Sequence, residues 1–346
     1  MLDERKLKVL YAIINSYIIS AEPIGSRTLS KHYDLGVSSA TIRNEMSDLE
    51  ELGLLNKPHS SAGRIPSDKA YRLYVDSLLK LNKFILDENK KQQIKNILIS
   101  ETQELEHLLQ TSAKVLSEIT NYTALAVSPH LKNSKIKHIQ LISIDNNQVL
   151  LVIVNNSDIV KSTIFELDKP IPVNQLNTIS NFLNNRLKGL SFIQLNSILD
   201  LGILNELYEF KDILENLIPV INKSMDDTEY IELYSEGITR LLNYPEYNNV
   251  DKAKSILSFI EDKDLVLGML LDDTLCNDID IIIGTENNYA QLKDSSIVTA
   301  TYSIGGKTIG KIGVIGPTRM DYYKLINTLR LFSTNISEIL EKLSGK

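Results

Sequence analysis

The spacing of apolar residues changes several times along the chain, and these changes limit the folds that its 346 residues can adopt. Up to about residue 120 the apolar residues recur every three or four positions, which is typical of amphipathic helices. Alternating, strand-like sequence begins near Lys135, gives way to helical sequence from about 171 to 229, and then resumes. Strands on both sides of a helical stretch favour one α+β domain that is interrupted by an insertion. The sequence therefore predicts a multidomain α+β protein.

The first 80 residues predict three helices and a hairpin. An apolar stripe from Leu7 to Ile18 predicts the first helix, and a short one follows at about 26–33. Gly36 can adopt positive φ in the next turn, Ser38 is a good N-cap, and Gly53 can end the third helix. Two short strands, 54–57 and 63–65, then enclose a polar and cationic tip. Three helices followed by such a hairpin predict a winged helix-turn-helix domain.

The outward face of the third helix carries residues suited to reading DNA. With Ile42, Met46 and Leu49 facing inward, Arg43 and Asn44 face outward near the start of the helix, where a recognition helix meets bases. Their side chains match the edges of guanine and adenine, respectively. Phosphate or minor-groove contacts are predicted for Ser39, Thr41, Ser47, His59, Ser60 and Arg64. The alternative is a solvated helix face, and the pattern alone does not decide between the two.

The charge distribution excludes a polybasic DNA-binding tail. The whole chain has a net charge of −7, and residues 1–80 contain eleven basic and ten acidic side chains. Affinity for a polyanion must therefore come from the placement of a few cations. Residues 57–72 provide such a placement, because they contain four cations and one acid.

Beyond residue 66 the sequence predicts further elements. Ser67 caps a helix with Tyr71, Tyr74, Val75 and Leu78 on one face, and 87–120 is helical. Strands are predicted at 139–144, 149–154, 159–167, 230–233, 279–283, 297–304 and 308–315, before a last helix at 322–343.

The sequence predicts neither an enzyme nor a metal or cofactor site. The GGKT stretch at 305–308 lacks the first glycine of a P-loop, and a hairpin turn is the better interpretation. Four aspartates between 272 and 280 lack the spacing of a calcium loop. The lone cysteine, Cys276, predicts a reducing compartment and a small buried side chain. Because no signal peptide or membrane span is evident, we expect a cytoplasmic protein.

Two long motifs resemble those of a known family. SSATIRNEM with ELGLL and then KPHSSAGRIPSDKAYRLYVD is similar to the N-terminal region of the heat-inducible transcription repressors, the HrcA family. SSIVTATYSIGGKTIGKIGVIGPTRMDY, residues 295–322, resembles the C-terminal signature of that family, and ELYSEGITRLLNYPEY, residues 232–247, fits it less distinctively. The resemblance runs the length of the chain, and the insertion region has no motif that can be aligned.

The resemblance implies a domain arrangement and a function. It implies a winged-helix DNA-binding domain at 1–80, a GAF-like domain at 81–170 and 230–346, and an inserted dimerisation domain at 171–229. It also implies a homodimer that represses chaperone operons at an inverted-repeat operator of the CIRCE type. A GroEL-type chaperonin is implied as the partner that promotes the active repressor. The alternative is a winged-helix regulator that a small molecule controls through the GAF-like domain.

Overall fold

The chain divides into two compact units, each described here from a computed structural model. One unit comprises Met1–Ser128 and Leu233–Lys346, and the other comprises Pro129–Glu232. The structure describes residues 2–59, 62–81, 88–100, 105–128, 135–145, 147–155, 160–167, 169–190, 211–225, 231–272 and 278–343. Helices and antiparallel sheets occur together in both units, so the fold is α+β.

The first unit begins with the predicted three helices and hairpin. The helices are α1 (Glu4–Ser20), α2 (Ser26–His32) and α3 (Ser39–Glu51). Strands β1 (Leu55–Asn56) and β2 (Ile65–Pro66) pair antiparallel, and helix α4 (Asp68–Leu81) follows.

Local capping signals set the ends of α3 where the sequence predicts them. The Ser38 hydroxyl accepts a hydrogen bond from the Thr41 amide at 3.2 Å, and this contact caps the helix N-terminus. Gly36 has φ 68° in the preceding turn, and Gly53 has φ 71° just beyond the helix. Both glycines therefore take the left-handed conformation expected of them.

The rest of the first unit is built on a five-stranded antiparallel sheet. Its strands are β3 (Thr123–Val127), β7 (Leu233–Glu236), β8 (Ile279–Ile283), β9 (Ser295–Ile304) and β10 (Lys307–Pro317), in the order β7-β3-β10-β9-β8. The helices of this part are α5 (Glu88–Ser100), α6 (Leu105–Thr120), α9 (Val250–Glu261), α10 (Lys263–Leu270) and α11 (Tyr322–Leu343). Gly305 and Gly306, with φ 56° and 76°, form the turn between β9 and β10. The hairpin interpretation of the GGKT stretch is therefore confirmed.

The second unit is a three-stranded sheet with helices on one face. Strands β4 (Ile136–Ser143), β5 (Gln148–Asn155) and β6 (Val160–Glu166) pair antiparallel in that order. Helices α7 (Val173–Leu187) and α8 (Lys211–Met225) share one apolar core with the sheet. The predicted hairpin at 139–154 and the predicted strand at 159–167 are confirmed.

Strand pairing shows where the chain leaves the large sheet and returns to it. β3 pairs with β7, so the segment between Val127 and Leu233 interrupts the sheet. The sequence places the start of the insertion at residue 171, whereas the compact second unit begins at Pro129 and includes β4–β6.

Cys276 and Ser60 lie outside the described residues, as does part of the predicted helical stretch 171–229. In the part of the chain that the structure describes, no helix is long and apolar enough to span a bilayer. Within the same residues, no group of three or more His, Cys, Asp or Glu side chains is arranged so that it could hold a metal ion.

Candidate nucleic-acid interface

Helix α3 presents its polar face to solvent. Ile42 and Leu49 are fully buried and Met46 is nearly so, which turns the opposite side of the helix outward. Arg43 and Asn44 are both exposed on that side. Neither side chain has a hydrogen bond or ion pair to any other described residue. The guanidinium and amide are therefore available to an external partner.

The smaller polar residues of α3 differ in how accessible they are. Ser47 is exposed beside Asn44, whereas Ser39 and Thr41 are half-buried at the start of the helix. The Thr41 hydroxyl lies 3.0 Å from the Ser38 hydroxyl and so belongs to the N-cap. The helix start is also the place where free backbone N–H groups favour an anion.

A buried carboxylate on the flank of α3 fixes the helix to α1. Glu45 is only 5% exposed and its carboxylate lies 2.6 Å from the Arg5 guanidinium and 3.1 Å from the Lys6 ammonium. The Lys6 ammonium also lies 3.1 Å from Asp48, and these partners, Glu45 first, raise the pKa of Lys6. Glu45 occupies an unremarkable place in the sequence, and only its three-residue offset from Ile42 indicates that it borders the inward stripe.

These ion pairs also change the electrostatics of the helix. Four acids lie between 45 and 51 on α3, and alone they would repel a phosphate backbone. Three of them, Glu45, Asp48 and Glu50, have a cation from another element within 3.1 Å. The negative charge near Arg43 is therefore smaller than the four acids in the sequence suggest, and it repels a phosphate backbone less.

The hairpin is held against the loop before α2 by its backbone. The amides of Ile24 and Arg64 each donate to the carbonyl oxygen of the other residue at 2.9 Å. Gly63 approaches so closely that a Cβ there would lie 2.5 Å from the Ile24 carbonyl carbon. At the other end, the Ser67 hydroxyl donates to the Gly53 carbonyl oxygen at 2.8 Å. The hairpin therefore has a fixed place beside α3.

The cations of the hairpin are not equally free. Lys57 and His59 are exposed near the tip. Arg64, predicted to contact phosphate or the minor groove, lies 2.6 Å from the Glu50 carboxylate, with its side chain 18% exposed. Its Nε is buried and has no hydrogen-bond partner among the described residues. In this structure Arg64, which directly precedes β2, therefore joins the hairpin to the end of α3.

Comparison with known proteins decides the family. The family model described as "HrcA protein C terminal domain" matches residues 106–326. The chain is 42% identical over 340 residues to the heat-inducible transcription repressor HrcA of Alkaliphilus metalliredigens, with 98% of both chains covered. It is 43% identical over 350 residues to that of Ruminiclostridium cellulolyticum, with 99% of both covered. The chain belongs to the HrcA family. It is thus a heat-inducible transcription repressor, as the resemblance predicts.

A solved structure shares the fold of this HrcA chain. A crystal structure of a hypothetical protein superposes with a TM-score of 0.62 and covers 99% of this chain and all of its own. The two sequences are 22% identical, so this likeness concerns the fold alone.

Proposed function

We propose that this HrcA chain represses chaperone operons by binding duplex DNA through a winged helix-turn-helix formed by α1–α3 and the β1–β2 hairpin. The observation that carries the proposal is the exposed Arg43–Asn44 pair on α3, which is free of partners among the described residues. In the major groove, the unpaired guanidinium of Arg43 could donate hydrogen bonds to the O6 and N7 atoms of guanine.

Different residues of the interface would have different tasks. Arg43 and Asn44 would read base edges, while Ser39, Thr41 and Ser47 would bond to the phosphates beside them. At the hairpin His59 is exposed and would reach the flanking backbone, and Ser60 is proposed there on its sequence position. Arg64 would act through the hairpin, because its charge is already balanced by Glu50.

We place dimerisation in the insertion, which makes an inverted-repeat operator of the CIRCE type the matching target. A twofold dimer presents two recognition helices to two half-sites that are related by the same symmetry. The outer face of the three-stranded sheet supports this assignment. Ile142 and Ile164 flank Leu150 in one row across the sheet, and they are 46% and 59% exposed. Uncovered apolar residues of this kind favour a protein interface.

The five-stranded sheet and its helices are proposed to be the GAF-like domain.

A GroEL-type chaperonin is proposed as the partner that promotes the active fold of the repressor. The strand order of the five-stranded sheet interleaves segments that are far apart in sequence, since β3 lies between β7 and β10. Long-range pairing of this kind folds slowly and leaves apolar surface exposed for longer. Such a folding intermediate is a suitable chaperonin client, so repressor activity would follow the supply of free chaperonin.

DNA-binding titrations test the proposal. We expect Arg43→Ala to weaken binding to an inverted-repeat operator by about 1–3 kcal/mol and to reduce its preference over scrambled DNA. Lys254→Ala is the matched control, because it removes one exposed cation from α9 in another part of the same unit. Equal binding of the wild type to operator and scrambled DNA would refute operator recognition.

The same titrations with purified GroEL-type chaperonin and ATP test the partner. We expect the active fraction after refolding to rise with chaperonin concentration. If a small metabolite changed operator affinity and chaperonin did not, ligand control would replace the chaperonin in this proposal.

A further inference from the structure

Two sequence motifs that lie about 250 residues apart meet in the structure. PSDKAYR, residues 66–72, spans the end of the hairpin and the start of α4, and GPTRMDY, residues 316–322, joins β10 to α11. The rings of Tyr71 and Tyr322 contact each other with centroids 5.9 Å apart, and both side chains are buried. Neither motif contains a residue assigned above to a specific DNA contact, although Lys69 and Arg72 are among the four cations of residues 57–72.

Around this aromatic contact, α4 is tied to the segment after β8. The Arg72 guanidinium binds both carboxylate oxygens of Glu286, through Nε at 2.7 Å and through Nη2, and Nη2 also donates to the Ile281 carbonyl oxygen at 2.6 Å. Asp68 accepts hydrogen bonds from the amide and the hydroxyl of Thr285, each at 2.9 Å. A bidentate pair of this kind fixes orientation as well as distance.

The shape of the backbone here fits these contacts. Gly284 has φ 51°, and a Cβ on it would lie 2.3 Å from a carboxylate oxygen of Asp68. The turn therefore needs glycine for two reasons, because a side chain would be strained and would also displace Asp68.

A second attachment holds α1. Arg319 is 8% exposed and pairs with Glu246 at 2.5 Å through Nε. Its Nη1 donates at 3.0 Å to the carbonyl oxygen of Ile18, in the last turn of α1. This cation therefore satisfies a free carbonyl at the negative end of a helix, where it is electrostatically favoured.

These contacts together fix α3, although none of them touches it. We use the name docking cluster for Asp68, Arg72, Glu246, Thr285, Glu286 and Arg319. Helix α1 is joined to α3 through the ion pairs of Glu45. Ser67, the residue before α4, donates a hydrogen bond to the carbonyl oxygen of Gly53, just beyond the end of α3. Because the docking cluster holds α1 and α4 separately, the α1–α4 segment has two points of attachment to the five-stranded sheet and its helices. One attachment would leave a rotation free, whereas two on different helices remove it.

We infer that Asp68, Arg72 and Arg319 are positioning residues that set the half-site spacing the repressor accepts. This inference rests on the proposed binding of a dimer to an inverted repeat. If each DNA-binding segment is fixed to its sheet, the recognition helix keeps one orientation relative to that sheet, and this narrows the range of separations and rotations that the dimer can present. If these ion pairs are removed, the α1–α4 segment can change its orientation relative to the sheet, and the second half-site is then engaged over a range of geometries.

Operators with altered spacing test this inference. The full-length wild type, the Arg72→Met/Arg319→Met double variant and a Lys252→Met control are titrated with inverted repeats whose half-sites are moved by 0 to 5 base pairs. Lys252 pairs with Asp294 at 2.5 Å, but this ion pair does not reach the α1–α4 segment. We expect the wild type and control to bind one spacing best, because about 5 base pairs turn a half-site to the opposite side of the duplex. We expect the double variant to bind that spacing about tenfold more weakly and to distinguish neighbouring spacings by less than about threefold.

The outcomes separate this inference from the proposed function. A double variant with the wild-type spacing profile would overturn the positioning role, even if its affinity fell. A wild type that bound no inverted repeat would overturn operator binding itself. Thr285→Val, which removes only one hydroxyl from the docking cluster, provides the same comparison if the double variant does not fold. If the residues only position the segment, the affinity of these variants for DNA with one half-site should equal that of the wild type. A loss of that affinity would indicate direct DNA contact instead.

Discussion

Replacing Gly63 with alanine is the sharpest test of how the hairpin is held. The new Cβ would lie 2.5 Å from both the carbonyl carbon and the carbonyl oxygen of Ile24. Because these are backbone atoms, the two segments must separate, and the pair of 2.9 Å hydrogen bonds between Ile24 and Arg64 is then lost or lengthened. At about 1 kcal/mol for each net hydrogen bond, the local opening free energy should fall by about 2 kcal/mol.

Hydrogen exchange measures this change directly. A loss of about 2 kcal/mol corresponds to exchange about 30-fold faster at the Ile24 and Arg64 amides, since each 1.4 kcal/mol is a factor of ten. Displacement of the hairpin should also weaken operator binding. The proper control is Gly25→Ala, where the nearest atom to the new Cβ is the Thr28 hydroxyl oxygen at 3.9 Å. Gly25 has an ordinary φ of −94°, so its replacement brings no strain. Equal exchange rates in the two variants would refute the close-contact argument.

Four further substitutions test individual contacts of the first unit. Arg64→Met should leave the slope of log Kd against log salt unchanged, because Glu50 already neutralises the guanidinium, and a slope smaller by about one would mean direct phosphate contact. In urea titrations Tyr71→Phe should be neutral or raise the free energy of unfolding, since its buried hydroxyl has no partner among the described residues, whereas Tyr322→Phe should lower it by about 1–3 kcal/mol. Hydrogen bonds from two lysines of α5 hold the pKa of Glu338 below its usual value, so its stabilising contribution is present at neutral pH and is lost as pH falls through the folded pKa. The difference in melting temperature between wild type and Glu338→Gln should therefore shrink between about pH 5 and pH 3, and a constant difference would contradict the assignment.

The parts of the fold that depend on local signals were predictable from the sequence. Capping by Ser38, the positive φ of Gly53 and the turn at Gly305 are set by the conformational preferences of those residues themselves. The last helix has the predicted bounds, 322–343, because its apolar stripe is continuous.

Strand β3 shows where this reasoning stops. All five residues of Thr123–Val127 are buried, so the segment lacks the alternation by which a half-exposed strand is recognised. It lies in the interior of the sheet, between β7 and β10, and its pairing with β7 means that the segment from Val127 to Leu233 interrupts the sheet. Nothing in the local sequence encodes a partner more than 100 residues away.

The candidate interface divides in the same way. The sequence alone determined the family, through its two motifs, and the outward placement of Arg43 and Asn44, because a helix with one apolar stripe can turn only its other face to solvent. Tertiary structure alone decided that Arg64 is paired with Glu50, that Glu45 is buried against α1, and that Arg319 holds the end of α1. Charged side chains find their partners by proximity in space, and that proximity exists only after segments far apart in the chain have packed together.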